Sequence, residues 1–147
     1  MRIGLVACSK TKLDRPAPAR ELYTSPLFRA ASGYCERVYD RWYVLSALHG
    51  LVHPDQVIEP YDVTLATMTA EQRRGLRYRV RAQWGSRAPD LSPGLIFLQG
   101  GILYRKAFHP ATRAPLAGLG IGQQLAWYAH RAADGVTASE RRDELEV

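Results

Sequence analysis

The chain is poor in cysteine and lysine, and it has no long apolar run. Its two cysteines, Cys8 and Cys35, form no metal-ligand pattern in 147 residues. Cys35 falls in an apolar helical stretch and reads as a core thiol. No segment reaches the roughly 20 apolar residues that a membrane-crossing helix needs. The apolar run after Arg2 is too short for a signal peptide, and no cleavage-type site follows it. Internal repeats and low-complexity tracts are absent. The expectation is a cytoplasmic, reduced protein with no membrane contact, no metal and no organic cofactor. Lysine is the most telling scarcity: of 20 basic residues only Lys10, Lys12 and Lys106 are lysine. Two of them share the pentapeptide CSKTK, where an ammonium rather than a guanidinium fork is wanted.

What is present suits one globular core. At 147 residues and 46% hydrophobic, the chain reads as a single domain over 1–134 with a charged, frayed tail over 135–147. A net charge of +6 favours an anionic partner, either nucleic acid or a nucleotide.

Ile3, Leu5, Val6 and Ala7 read as a buried parallel strand. Asp14 to Tyr23 is loop-like, broken by Pro16 and Pro18. Ser25-Pro26 is an N-cap followed by proline at the first helical position, opening a helix to about Tyr39. Leu27, Ala30, Ala31, Tyr34 and Val38 share one face of it. Trp42 to Leu48 is a second strand, broken at His49-Gly50, and His53 to Val63 is irregular. Thr69 with Gln72 forms a capping box for a helix to about Trp84. Ser86 to Pro93 is a loop, Gly94 to Gln99 a third strand, and Gly100-Gly101 open a helix holding Tyr104 and Arg105. Pro110 to Pro115 is another loop, and a last helix starts near Gly120. Strands alternating with helices predict an α/β domain of three layers, with a small, mostly parallel sheet flanked by helices. An edge strand hidden in the irregular stretches would complete it.

Three strand ends converge in this arrangement: Cys8-Ser9-Lys10, Ser46 to Gly50, and Gln99-Gly100-Gly101. Ligands of open α/β sheets bind outside the carboxyl ends of strands. Gly100 and Gly101 can offer backbone amides to an anion at a helix terminus. His49, with an unperturbed pKa of about 6.5, suits acid or base work, although a backbone-bonded structural histidine is the commoner case. Glu59-Pro60-Tyr61-Asp62 sets two carboxylates and a phenol in a stiff loop, where an exposed charged turn is the plain alternative. On the Thr69–Trp84 helix Arg73, Arg77 and Arg81 recur at i, i+4, i+8 with Arg74 beside them. That stripe reads as a solvated basic face or a phosphate footprint.

The segment LSALHGLVHPDQVIEPYDVTL, Leu45 to Leu65, resembles the YaaA family of bacterial peroxide-stress proteins. ACSKTKLDRPAP, Ala7 to Pro18, resembles the N-terminal segment of that family. It is also similar to the start of the C-terminal core domain of archaeosine synthases. Small bacterial domains sharing CSK-x-K, LYTS-x-LF, LSA-x-HGL and EPYD are a closer match. The resemblance implies a uracil-DNA-glycosylase-like α/β fold tied to nucleic acid or modified nucleobases. It carries over Cys8, Ser9, Lys10, Lys12, Ser46, Gly50, Glu59, Pro60 and Tyr61, with Tyr23 and Ser25 from the closer relatives. The chain departs from YaaA in being much shorter, with no room for an inserted helical DNA-binding element. Cys8 also stands where that family has a serine or small residue.

Two functions follow as expectations. One is an enzyme acting on a nucleobase, nucleotide or modified base, cleaving or exchanging an N-glycosidic bond. Glu59, preferred over Asp62, would stabilise the oxocarbenium-like state. Lys10 and Lys12 would hold phosphate or stabilise the departing base. Tyr23, Tyr61 and Tyr104 would stack on the base, and Cys8 beside two ammonium groups would permit covalent chemistry. The other is a non-catalytic module that binds or protects DNA through the arginine stripe.

Overall fold

The computed structural model describes residues 2–87, 96–100, 104 and 112–134. In chain order the elements are β1 (Ile3–Ala7), β2 (Ala17–Pro18), α1 (Ala19–Leu22), α2 (Pro26–Val38) and β3 (Arg41–Ser46). Next come β4 (Gly50–Val52), β5 (Val57–Ile58), a 3-10 turn at Leu65–Thr67, α3 (Ala70–Arg87), β6 (Ile96–Gln99) and α4 (Ile121–Asp134).

The main sheet has four strands in the order β4-β3-β1-β6. β1 pairs parallel with both β3 and β6, whereas β3 and β4 are antiparallel. The three expected strands are parallel as predicted, and the antiparallel edge strand β4 beside them makes the small sheet mixed. The strand read as Trp42 to Leu48 stops at Ser46, and after three intervening residues the chain has reversed into β4. A connection that short can join only antiparallel neighbours. Gly50 allows the reversal with φ +74, a left-handed conformation that glycine adopts without strain.

The stretches read as loop or irregular hold further structure. β2 and β5 pair as a small antiparallel ribbon, and α1 occupies Ala19–Leu22. The edge of β6 is covered by Arg113, whose N–H donates to Ile96 O and whose carbonyl accepts from Leu98 N. The predicted residues Gly94, Gly101, Arg105 and Lys106, and the tail 135–147, lie outside the described residues.

Period-two alternation along the strands builds the layers. Ile3, Leu5, Tyr43, Leu45, Ile96 and Leu98 pack with Leu76 and Val80 of α3. Val6, Trp42, Val44 and Phe97 pack on the opposite face with Phe28, Ala31, Tyr34 and Cys35 of α2 and Tyr128 of α4. The predicted apolar face of α2 is shifted, since Phe28 and Cys35 are buried while Leu27 and Ala30 are only half-buried.

Helix starts follow local chemistry. Ser25 Oγ accepts from Phe28 N at 3.1 Å and caps α2, with Pro26 at its first position. Thr69 and Gln72 exchange reciprocal bonds of 2.8 and 3.1 Å before α3. That helix continues past Trp84 to Arg87.

Candidate active site

β1 delivers Cys8 to the carboxyl end of the sheet, where Cys8 N donates to Leu45 O at 3.0 Å. The chain then folds back on α1 and the residues after it. Lys12 bridges Tyr23 in antiparallel fashion, with Leu13 N bonded to Leu22 O and Thr24 N to Thr11 O. This pairing sets the Lys12 ammonium 4.3 Å from the Tyr61 ring centroid and 5.7 Å from that of Tyr23. Lys12 Nζ also donates to Lys10 O at 3.2 Å. The Lys10 side chain is exposed.

The phenols are joined to the end of β3. Tyr61 Oη lies 2.6 Å from Tyr23 Oη and 2.7 Å from Ser46 Oγ. Ser46 Oγ in turn accepts from Leu48 N and His49 N at 3.2 and 3.1 Å. On the other side of this cluster Cys8 Sγ lies 3.2 Å from Tyr104 Oη and accepts from Ala47 N at 3.4 Å. Cys8, Lys12, Tyr23, Ser46, Tyr61 and Tyr104 thus converge from sequence positions up to 96 residues apart.

The electrostatics follow from burial. Desolvation lowers the Lys12 ammonium below its ordinary value, opposed by the nearby Cys8 and Asp62. Burial pushes Tyr23 up to about 12, with the hydrogen bond from Tyr61 acting against it. Tyr61 and Tyr104 are driven further up by the same burial and by the charge of Cys8. His49 stands edge-on to Tyr61, with ring centroids 5.5 Å apart. Burial and then the Arg79 charge hold it below its ordinary value.

Two concavities flank the cluster. The smaller, of about 270 Å³, is bordered by Cys8, Ser9, Ser25, Gln99, Gly100 and Tyr104, with Phe28 and Tyr128 as aromatic walls. Gln99 is 3% exposed, its Nε2 bonded to Tyr39 Oη and its Oε1 accepting from Tyr128 Oη. The larger, of about 580 Å³, is an open groove past Ala47, Leu48, Asp62 and Arg79. The smaller cavity is the better candidate for chemistry, because a free thiol and a buried amide stand on its wall.

The predicted site residues separate accordingly. Asp62 and Glu59 are both exposed with no described side-chain hydrogen bond, and Asp62 borders the groove and acts electrostatically on Lys12. Ser9 donates weakly to Thr11 O at 3.4 Å, and Ser25 is the α2 cap as well as a cavity residue. Gly50 serves the β3–β4 reversal, and Gly100 serves a close approach, since a Cβ there would lie 2.5 Å from Ala7 Cβ. Gln99 and Tyr128 were not among the predicted site residues. The signal for Gln99 was a polar residue ending an otherwise apolar strand, Ile96–Gln99.

The arginine stripe divides as well. Arg73 donates twice to Leu65 O, at 3.0 and 2.7 Å, and Arg79 donates to Leu48 O at 2.7 Å. Arg77 is half-buried, and Arg74 and Arg81 are exposed. Tyr78, between those two in sequence, is 81% exposed. Among the described residues no cluster of His, Cys, Asp and Glu could hold a metal ion, and no helix is long and apolar enough to cross a membrane.

The uncharacterized protein YfjM of Bacillus subtilis (strain 168) is 34% identical to this chain over 85 residues. The match covers 50% of the chain and 57% of YfjM, so the chain spans little more than half of that relative. No solved structure matches. A family model matches residues 3–130, nearly the whole described core, and the chain belongs to that family, a family of unknown function (DUF6884).

Proposed function

We propose that this protein is an enzyme acting on a nucleobase or nucleotide, free or within nucleic acid, and that it cleaves or exchanges an N-glycosidic bond. The carrying observation is the cluster of Cys8, Lys12, Tyr23, Ser46, Tyr61 and Tyr104 at the strand ends, beside a cavity of about 270 Å³. That volume falls near the lower end of small-molecule sites and suits one planar ring system. Phe28, Tyr104 and Tyr128 supply apolar walls for it, and Gln99 supplies a fixed amide. The basic net charge and the YaaA-like motifs around Cys8 and Tyr61 support the same reading. It also assigns the chain to the YaaA-like superfamily with a uracil-DNA-glycosylase-like sheet, a claim an experimental structure would test by superposition.

With the base in the smaller cavity and the sugar reaching across the cluster to the groove that Asp62 borders, the steps balance within these residues. Water adds to C1′ as the bond from C1′ to the base nitrogen breaks. The Asp62 carboxylate stabilises the oxocarbenium-like state and takes the proton of the water. The electron pair leaves with the base nitrogen, which takes a proton from the Lys12 ammonium. Partial desolvation makes that ammonium a readier proton donor. Return of the proton from Asp62 to Lys12 restores the start. In exchange, an incoming base takes the place of water.

Incubation with nucleosides, nucleotides and modified-base oligonucleotides, read by mass spectrometry for free base, tests the reaction. Asp62→Asn and Lys12→Met should each lose at least about 100-fold in release, the usual contribution of a positioned acid or base. Glu59→Gln should retain it. Release abolished by Glu59→Gln and untouched by Asp62→Asn would refute the assignment.

A second reading, a non-catalytic module that binds DNA, is favoured by one observation. Tyr78 is 81% exposed on α3, with exposed Arg74 and Arg81 about one turn to either side. Aromatic and guanidinium groups in that order suit stacking and phosphate contact.

A further inference from the structure

Gln99 ends β6, and period-two alternation turns it to the same face of the sheet as Phe97, toward α2 and α4. It is 3% exposed and borders the cavity of about 270 Å³. Ser46 and Thr112, the other polar side chains buried among the described residues, do not border it. A primary amide has two N–H groups and two lone pairs to satisfy. Nε2 donates one hydrogen to Tyr39 Oη at 3.3 Å, and Oε1 accepts one from Tyr128 Oη. One N–H and one lone pair, on neighbouring ends of the amide, have no partner among the described residues. A buried amide with half its positions open is costly unless something in the cavity meets them. Phe28, Tyr104 and Tyr128 border the same cavity, so Tyr128 both walls it and holds the amide.

We propose that Gln99 is the specificity-determining residue of this cavity, and that it reads a planar ring carrying a hydrogen-bond acceptor and a donor on adjacent atoms. The open N–H of the amide meets the ring acceptor, and Oε1 meets the ring donor. The inference rests on the reading of this cavity as the place of the base, and it adds what that base must present at its inner edge. A carbonyl beside a ring N–H satisfies the amide, and so does a ring nitrogen beside an amino group. A plain aromatic ring or a phosphate does not. Selection comes by exclusion as much as by attraction, because a ring lacking either group leaves a buried amide atom unpaired. Tyr39 and Tyr128 are positioning residues for the amide.

Equilibrium dialysis of the whole protein against free bases, with the ligand measured by mass spectrometry, tests this apart from any turnover. Uracil, hypoxanthine, adenine and cytosine are each set beside an analogue altered at that edge. The ring nitrogen is methylated in the first two and replaced by C–H in the others. The parent should bind at least one base, and its altered analogue roughly tenfold more weakly, the loss of one hydrogen bond with its buried partner left open. Gln99→Met, close in length but without the amide, should bring the two affinities to within about twofold. Thermal melting shows which variants are folded. Gln99→Leu combined with Tyr128→Phe, which leaves no Tyr128 hydroxyl facing the lost amide, should give the same collapse should Gln99→Met fail to fold. A merely structural Gln99 would lower both affinities together. A base bound with its ratio intact in a folded variant would therefore overturn the role of Gln99 and leave the nucleobase reading standing. Pyridone, a lactam that is no nucleobase, separates the two in the other direction. Gln99-dependent binding of pyridone, with none of the four bases bound, would keep the edge reading and refute the nucleobase one. No binding of any probe by the parent would overturn both.

Discussion

Asp62 and Glu59 lie three residues apart on either side of Pro60 and Tyr61, and they differ in what they stand beside. Both are exposed, but only Asp62 borders the groove and lies within electrostatic reach of Lys12. The same local contrast governs His49. Its ring is half-buried against Tyr61 and feels the positive charge of Arg79, so the folded protein holds its proton less tightly than the unfolded chain does. Between the lowered folded pKa and the ordinary 6.5, the unfolded state binds more protons, and stability rises with pH across that window. Acidification below 6.5 is therefore destabilising. Denaturant midpoints measured at intervals from neutral to mildly acidic pH should fall less steeply for His49→Gln than for the parent. Parallel curves for the two proteins would remove His49 from the acid response.

Among the elements, the β3–β4 reversal is the most constrained. It sets Ser46 and Ala47 toward the cluster, and it is tied to α3 by Gln83. The amide of Gln83 accepts from Leu51 N at 2.8 Å and donates to His49 O at 3.0 Å. A Cβ on Gly50 would meet Gln83 Oε1 at 2.3 Å, in a backbone already at φ +74. Gly50→Ala should therefore cost about 1–3 kcal/mol, from left-handed strain and from displacing the Gln83 clamp. Urea unfolding at neutral pH would measure it, and a cost under about 0.5 kcal/mol, the range of ordinary surface changes, would show that the clamp gives way freely. The reversal carries Ser46 Oγ and Ala47 N, so the same substitution should also slow Cys8 alkylation.

Over the whole molecule, a net charge of +6 is spread unevenly in its uses. Arg73 and Arg79 are tied to carbonyls, so they fasten α3 to the 3-10 turn and to the β3–β4 turn. Arg74 and Arg81, with Tyr78 between them, make the surface that a polyanion would meet. If the chain binds a single strand there, log affinity should fall linearly with log salt, and each of Arg74→Gln and Arg81→Gln should reduce the slope by about 0.7. Tyr78→Ala should weaken binding at every salt concentration with little change of slope, because stacking releases no counterions. Fluorescence anisotropy with a labelled oligonucleotide checks both. Affinity indifferent to salt would exclude this face as a phosphate footprint.

What the sequence by itself determined is local. Apolar runs became β1, β3 and β6, Ser25-Pro26 and Thr69–Gln72 set helix starts, and Cys35 went to the core. These depend on residues within a few positions of one another, where burial pattern and capping chemistry suffice. Of the residues that the resemblance carried over, Lys12, Tyr23, Ser46 and Tyr61 meet, whereas Lys10 and Glu59 are exposed. Tertiary structure alone decided the rest. Whether Asp62 or Glu59 approaches Lys12, which arginines are free, and where Gln99 and Tyr104 stand are all questions of long-range approach. The meeting of Ser46, Tyr61 and Tyr23 is the clearest case. Ser46 Oγ accepts two backbone N–H groups of its own turn while it bonds Tyr61, and only the folded turn brings those groups together.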